Sequence, residues 1–128
     1  MKSLLKITTL WSLLVVACLL AGACGNSASN FVQGQGKITV NVTGSLGVNN
    51  LRIDMHRDST TGSIVDTFIT PSTATSPVSH DFEETVGTDY FVTITDLNTP
   101  PRYVELVDPN KITPDLINPQ TVNETMVQ

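Results

Sequence analysis

The sequence predicts an all-β protein, a single antiparallel β-sandwich of about seven strands. After Cys24, Thr, Val and Ile number sixteen, twelve and seven, whereas Ala occurs only twice. β-Branched side chains fit a pleated sheet, and a shortage of Ala removes the best helix former. Apolar residues recur with a period of two in several windows and nowhere with a sustained period of 3.6. Turn-forming clusters separate the short apolar runs, which is typical of such sandwiches.

The first strand is expected over 37–42, where Ile38, Val40 and Val42 alternate with polar residues and share one face. An antiparallel sheet with one buried and one wet face requires this alternation. After a turn over 44–50, the second strand is expected over 51–56, where apolar residues again alternate with polar ones.

Five further strands are expected, each after a turn or a proline, over 63–70, 78–82, 90–95, 102–107 and 121–127. The segments that separate the runs carry the Gly, Pro, Asp and Ser residues typical of turns, at 58–62, 71–77, 87–89, 100–101 and 108–119.

The first 23 residues have the layout of a secretory signal peptide. Lys2 and Lys6 are followed by an apolar stretch, and no charged residue occurs between Lys6 and Lys37. That stretch is shorter than the roughly twenty residues of a membrane-spanning helix. We therefore expect a signal peptide over 1–23, with an uncleaved anchor as the alternative.

Leu20-Ala21-Gly22-Ala23-Cys24 resembles the lipobox of bacterial lipoproteins, in which small residues precede a cysteine. The resemblance implies that the Cys24 thiol receives a diacylglyceryl group and that the leader is cut before it. It also implies that the new amino terminus is acylated, for which palmitate is a suitable label. Several acyl chains would attach the protein stably to a membrane. Gly25 at the next position implies the outer membrane.

Two alternatives stay open at this cleavage site. Ala21 and Ala23 also suit the ordinary signal peptidase, which would release a soluble, secreted protein with a free Cys24 thiol. Val15-Val16-Ala17-Cys18 fits the lipobox pattern as well, although a cut there would leave two leucines on the mature terminus. Because both cysteines lie within or at the edge of the leader, a disulfide scaffold is not expected.

Residues 24–36 are expected to form the lipidated cysteine and a flexible tether, because 25–36 is small, polar and uncharged. The sandwich domain is expected over 37–128. After Cys24 the chain carries five Lys and Arg against twelve Asp and Glu, a net charge of -7. Such a surface could not release many counterions from a phosphate backbone, so nucleic-acid binding is not expected.

Gly36 to Val127 resembles the small immunoglobulin-like or transthyretin-like modules of bacterial surface proteins. Those modules open with a Gly before an alternating Val/Ile strand, as 36–42 does. They also carry a late Gly-x-Tyr-x-Val strand, matched by Gly87-Thr88-Asp89-Tyr90-Phe91-Val92 with one extra residue between Gly and Tyr. The resemblance implies a fold of that type and brings no chemistry with it.

The sequence lacks the motifs of nucleophilic catalysis and of phosphate binding. Gly44-Ser45-Leu46-Gly47 is not a nucleophile elbow, and Gly34-Gln35-Gly36-Lys37 lacks the spacing of a phosphate-binding loop. An enzyme would need a concave site with a perturbed histidine or carboxylate. We expect none, and we expect no catalytic residue and no cofactor.

The two histidines of the chain do not have the spacing of zinc ligands, and no metal site is expected. His56 alternates with apolar residues and is expected to face solvent beside Asp54 and Asp58. His80 shares a face with Val78 and Phe82, so it is expected to be partly buried with a backbone partner.

Two short acidic segments could each offer oxygen ligands to calcium, Asp96-Leu97-Asn98 and Asp108-Pro109-Asn110. The interpretation that we favour is a pair of turns in which Asp and Asn bond their own backbone.

Tyr90 and Phe91 are the candidate ligand contacts. They are adjacent in a predicted strand, so one of them must face outward. A glycan-binding sandwich would present a row of exposed aromatic residues, usually rich in Trp, yet the only Trp, Trp11, lies in the leader.

The sequence therefore predicts a lipid-anchored, non-catalytic β-sandwich of the bacterial cell envelope that acts by contact with another protein or an envelope component. Edge strands are the expected contact surfaces, because their unpaired backbone groups can accept an added strand. The alternative function is a carbohydrate-binding module at the cell surface.

Overall fold

The computed structural model describes residues 34–128, and within this range the chain is all-β. The expected leader, both cysteines and the tether up to residue 33 lie outside the described residues. No helix in the described range is long and apolar enough to cross a membrane. The strands are β1 (Gln35–Gly44), β2 (Leu51–Arg57), β3 (Ile64–Ile69), β4 (Val78–Thr85), β5 (Tyr90–Asp96), β6 (Leu106–Val107) and β7 (Gln120–Met126).

The seven strands form two sheets, with the orders β4-β1-β7 and β3-β2-β5-β6. All pairs in the four-stranded sheet are antiparallel, as is β1 with β4. β7, however, runs parallel to β1, with Ile38 opposite Gln120 and Gly44 opposite Met126. The prediction of a purely antiparallel sandwich is therefore wrong for this pair. The long connection after β6 passes beside Gly36 and brings the chain back to the end at which β1 begins.

The two sheets share one hydrophobic core, an arrangement consistent with a β-sandwich. β1 contributes Ile38, Val40 and Val42, as its alternation predicted. Each fully buried Val, Leu or Ile contributes roughly 1.5–3 kcal/mol, so this core is the main attraction between the sheets. The buried cluster consists of Ile38, Val40, Val42, Val48, Leu51, Ile53, Met55, Phe82, Tyr90, Val92, Ile94, Tyr103, Ile112, Val122 and Met126.

The start of β1 differs from the sequence-based prediction. β1 begins at Gln35, so Gln35 and Gly36, which the sequence assigned to the tether, lie in the sheet opposite Thr85 and Glu84.

The sixth strand is shorter than predicted, because the first part of 102–107 is held in a loop. The Arg102 guanidinium donates to the carbonyls of Leu46 (2.9 Å) and Asn49 (2.7 Å) and to the Asn49 side-chain oxygen (2.8 Å). The Tyr103 hydroxyl donates to the Gly47 carbonyl at 2.9 Å. These bonds fix the chain against the β1–β2 connection, so only Leu106 and Val107 pair with β5.

β3 and β4 close one side of the gap between the sheets. The rings of Phe68 and His80 are stacked with centroids 3.7 Å apart, and His80 lies edge-on to Phe82. Partial burial of His80 is confirmed, but the structure places aromatic rings against it rather than a backbone group. On the opposite side, between β7 and the segment that follows β6, a cleft remains.

Candidate functional site

The first candidate site is the outer face of the four-stranded sheet together with its β3 edge. β2 lies between β3 and β5, and the register places Asp54 beside Thr67 and Thr93. The Asp54 carboxylate accepts hydrogen bonds from Arg52 Nε and from Thr67 Oγ1, both at 2.8 Å. A polar row thus runs across the middle of this face.

His56 continues the polar row on the same strand. Its Nδ1 lies 3.0 Å from the Gly62 carbonyl and its Nε2 lies 2.9 Å from Thr93 Oγ1. Because a carbonyl oxygen can only accept, Nδ1 carries a proton, and in the neutral ring Nε2 accepts from the Thr93 hydroxyl. The imidazole is therefore fixed at both nitrogens.

The polar row is buried, although it lies on the outer face. Asp54, His56 and Thr93 are all among the buried polar residues. The prediction that His56 faces solvent beside Asp54 and Asp58 is therefore wrong. The alternation predicted the correct face, but β2 is a central strand, and side chains from both neighbouring strands cover its short polar residues.

β3 forms one edge of this sheet, because it pairs only with β2, and β6 forms the other. Most of the strand is exposed, including Ile64 at 51% and Ile69 at 53%. In an antiparallel pair, alternate residues direct their backbone groups away from the partner strand; here these include Thr67 and Ile69. The Thr67 N–H is capped by the Asp66 carboxylate at 2.7 Å. The edge therefore combines exposed apolar side chains with one protected backbone donor.

The two candidate ligand contacts, Tyr90 and Phe91, lie on opposite faces of β5. Tyr90 is fully buried in the core, and its hydroxyl accepts a hydrogen bond from the Thr85 N–H at 3.1 Å. Phe91 is half-buried on the outer face, opposite His56 in the register. The prediction that one of the two must face outward is confirmed, and the outward residue is Phe91.

The second candidate site is a cleft of about 340 Å³ between β7 and the segment that follows β6. Glu124 reaches it from the inner face of β7, where it lies opposite Val42 of β1. Asp108, which is buried, lies at the start of the other wall. The lining residues are Asp108, Asn110, Lys111, Ile112, Thr113, Gln120, Thr121, Val122, Asn123 and Glu124.

Asp108 and Glu124 form a carboxyl pair in this cleft. Burial, the like charge of the neighbouring Asp108 and a hydrogen bond with Asp108 together raise the pKa of Glu124 to about 7. Asp108 Oδ1 also accepts the backbone N–H and the side-chain amide of Asn110, at 2.9 and 2.8 Å. With a pKa of about 7, Glu124 gains or loses its proton near neutral pH beside the Asp108 carboxyl.

The expectation of no concave site with a perturbed carboxylate is therefore wrong. The sequence did contain the signal. In the last strand Glu124 is two residues from both Val122 and Met126, so it shares their face and its side chain lies on the inner side of the sheet. Its partner Asp108 comes from a proline-containing loop, and the pattern of that loop does not indicate where it folds.

The two acidic segments considered for calcium are turns. Asp96 Oδ1 accepts the Asn98 N–H at 3.0 Å, and Asp108 Oδ1 accepts the Asn110 N–H at 2.9 Å. The turn interpretation is thus confirmed for both. In the range 34–128, no group of three His, Cys, Asp or Glu side chains converges as metal ligands would.

No family model, no curated protein and no solved structure matches this chain. Its function is therefore inferred from its own residues and geometry.

Proposed function

We propose that the protein is a lipid-anchored, non-catalytic module of the bacterial cell envelope that binds another protein through the free edge of β3. The observation that carries the proposal is the exposure of that strand, which pairs on one side only. An extended segment of a partner can join such an edge through main-chain hydrogen bonds, while side-chain pockets supply specificity.

The exposed apolar side chains of β3 indicate that this edge binds a protein and does not simply face water. Ile64, Val65 and Ile69 are all exposed large hydrophobic residues. Natural edge strands that avoid pairing usually carry charged residues, prolines or bulges. β3 carries one acidic residue, and its pairing with β2 shifts register between Met55 and His56 of β2. Only part of β3 is therefore protected against pairing with another strand.

The lipid anchor is supported by the sequence around Cys24 and by the small, uncharged residues that follow it. In this proposal the acyl chains on Cys24 insert into the outer membrane and hold the domain at its surface. The domain then binds the partner protein. A secreted soluble form with a free Cys24 thiol is the alternative.

We also propose that the fold is of the immunoglobulin-like or transthyretin-like type. Its support is the division of seven strands into sheets of three and four around one core. The resemblance of Gly36 to Val127 to such modules is the second support.

The carbohydrate-binding alternative has less support. It calls for at least two exposed aromatic side chains on one sheet face. Among the residues that the structure describes, Phe91 is half-buried on its face, while Phe82, Tyr90 and Tyr103 are buried in the core. Phe68 lies on the other face of its sheet, stacked on His80. A protein-binding edge is the better supported proposal.

In-cell photo-crosslinking tests the proposed contact. A photoreactive amino acid at Ile69 should give a discrete adduct with a second envelope protein. The matched control is the same amino acid at Lys37, an exposed residue of β1, which is paired on both sides in the other sheet. Equal adducts from both positions, or none from Ile69, would contradict the proposal.

Mass spectrometry of the intact protein from the membrane fraction tests the proposed anchor. The expected mass is that of residues 24–128 with its acyl groups, and Cys24→Ser should abolish both the acyl groups and membrane recovery. Recovery from the medium of a chain that begins at Cys24 without acyl groups would show instead that the protein is secreted.

A further inference from the structure

Leu116 and Ile117 form an exposed apolar pair in the loop 114–119, which lies between Pro114 and Pro119. Leu116 is 66% exposed and Ile117 84%, and Ile117 is the most exposed of the large hydrophobic residues in the described range. Two adjacent apolar side chains that are exposed to water would be stabilised by burial against a suitable partner surface.

The 114–119 loop is seated against the start of β1. A Cβ atom on Gly36 would lie only 2.7 Å from the Asp115 carbonyl oxygen and 2.9 Å from Pro114 Cβ, so backbone and loop are in direct contact. A Cβ on Gly34 would collide with the Leu116 side chain. The loop is also bonded to the β4–β5 turn, where the Gly87 N–H donates to the Pro114 carbonyl at 3.3 Å.

The loop therefore lies where the chain from Cys24 enters the domain. Gly34 is the tenth residue after Cys24 in the sequence. A segment of this length cannot span more than about 35 Å. A membrane that holds the acyl chains of Cys24 would lie within this distance of Leu116 and Ile117.

We infer that Leu116 and Ile117 contact the lipid bilayer in which Cys24 is anchored, so that the 114–119 loop is the membrane-facing surface of the domain. The inference rests on the proposed lipid anchor. The parallel pairing of β1 and β7 places residue 127 at the far end of the domain, since β7 runs away from this loop. Seven strand residues separate the two ends by roughly 20 Å.

The chemistry of the loop fits a zwitterionic lipid surface. The loop contains one carboxylate, that of Asp115, which accepts the Ile117 N–H at 2.8 Å and faces the Asn118 amide. Groups of the loop itself therefore solvate this charge. The mature chain as a whole is acidic, which disfavours attraction to anionic lipids. Contact through apolar side chains needs no basic cluster.

Tryptophan fluorescence can test this contact, because the only Trp of the chain, Trp11, lies in the expected leader. The full chain carrying Trp11→Phe and Ile117→Trp would be produced in a bacterial host and reconstituted into vesicles of phosphatidylcholine and phosphatidylethanolamine. Val127→Trp is the matched control, since Val127 is 61% exposed but lies at the opposite end. Circular dichroism would verify that both variants are folded.

The expected result is a blue shift of the Ile117→Trp emission on reconstitution and its quenching by lipids brominated close to the headgroup. The Val127→Trp emission should stay unchanged. If the protein floats with the vesicles but Ile117→Trp does not respond, the anchor is correct and the inference is overturned. Equal responses from both positions would overturn it as well.

Two further outcomes separate the remaining explanations. A blue shift without vesicles that grows with protein concentration would identify a second copy of the chain as the occupant and overturn the inference. If flotation does not depend on Cys24, as judged with Cys24→Ser, the proposed anchor is wrong and the inference falls with it.

Discussion

Asp96 connects the end of β5 to the loop that follows it. Its carboxylate accepts the Asn98 N–H at 3.0 Å and the Arg102 N–H at 2.7 Å, and it also contacts Arg102 Nε at 3.3 Å. Burial acts to raise the pKa of Asp96, but hydrogen bonds from Asn98 and Arg102 outweigh that effect and hold the pKa well below its usual range. The ionised carboxylate is therefore part of the folded structure.

We predict that Asp96→Ala lowers the free energy of unfolding by about 2–4 kcal/mol at neutral pH, since buried donors lose their acceptor. Urea unfolding followed by circular dichroism measures this. Because the folded pKa lies below the ordinary 3.8, the contribution of Asp96 is present above that pH and is lost as the pH falls. Glu83→Ala, which removes an exposed carboxylate of β4, is the control and should leave the midpoint nearly unchanged. Equal losses from both variants would contradict the assigned role.

Glu124 should make stability decrease with rising pH, the opposite direction to Asp96. Its folded pKa of about 7 exceeds the ordinary value of 4.5, so the folded state binds the proton more tightly. Its contribution is complete below pH 4.5 and is lost as the pH rises through 7. We predict that Glu124→Gln, which imitates the protonated form, raises the free energy of unfolding at pH 8 by about 1–2 kcal/mol after allowance for solvent screening.

Urea unfolding at pH 5 and pH 8 tests the Glu124 prediction. The difference between Glu124→Gln and the unaltered protein should be large at pH 8 and small at pH 5. Glu83→Gln, on the exposed face of β4, serves as the control. A gain of equal size at both pH values would mean that Glu124 does not titrate between them.

At the residue scale, alternation predicted which face a side chain occupies better than it predicted exposure. It placed Ile38, Val40 and Val42 in the core, and it required one of Tyr90 and Phe91 to face outward, which the structure shows to be Phe91. It failed to predict the burial of His56, because the exposure of a residue depends on whether its strand has neighbouring strands on both sides. That information is contained in long-range pairing and not in the local pattern.

Asp66 protects the β3 edge by occupying the Thr67 N–H. We predict that Asp66→Ala increases self-association, because it frees a backbone donor on an apolar edge and removes a charge. Light scattering after size-exclusion chromatography, over a series of concentrations, would reveal the change. Glu105→Ala is the control, because it also removes one negative charge but at a residue outside β3, and it should leave the measured mass unchanged. A monomeric Asp66→Ala protein at every concentration would show that the carboxylate does not guard the edge.

At the element scale, the sequence predicted all seven strand positions but not their partners. β7 was expected from the alternation over 121–127, and it is present as Gln120–Met126. Its parallel pairing with β1 depends on the path of the 108–119 connection, which no local pattern encodes. The sixth strand was overestimated, because Arg102 and Tyr103 bond to the β1–β2 connection.

At the scale of the whole molecule, the domain presents two different surfaces. The 114–119 loop lies at the end where the chain enters at Gly34. The β3 edge runs along one side of the four-stranded sheet, at the edge away from β6. An anchored domain with the loop on the membrane would therefore leave the β3 edge accessible to a partner, which is the arrangement that the proposed function needs.

The two-sheet architecture could be predicted from composition and periodicity, because both report on the burial of strand faces. The partner could not, because an edge strand offers main-chain groups that are common to every sequence. Only the side chains of Ile64, Val65 and Ile69 distinguish this edge, and they indicate an apolar partner segment without specifying it.

The most direct test of a β3 docking edge compares Ile69→Pro with Ile69→Thr. Proline removes the outward N–H of residue 69 and is tolerated on an edge strand, whereas threonine keeps that donor and removes the apolar side chain. With a photoreactive amino acid at Val65, the measurement is the yield of the in-cell adduct with the partner. We predict that Ile69→Pro abolishes the adduct while Ile69→Thr retains a substantial part of it. Undiminished adduct from Ile69→Pro would contradict strand addition at β3.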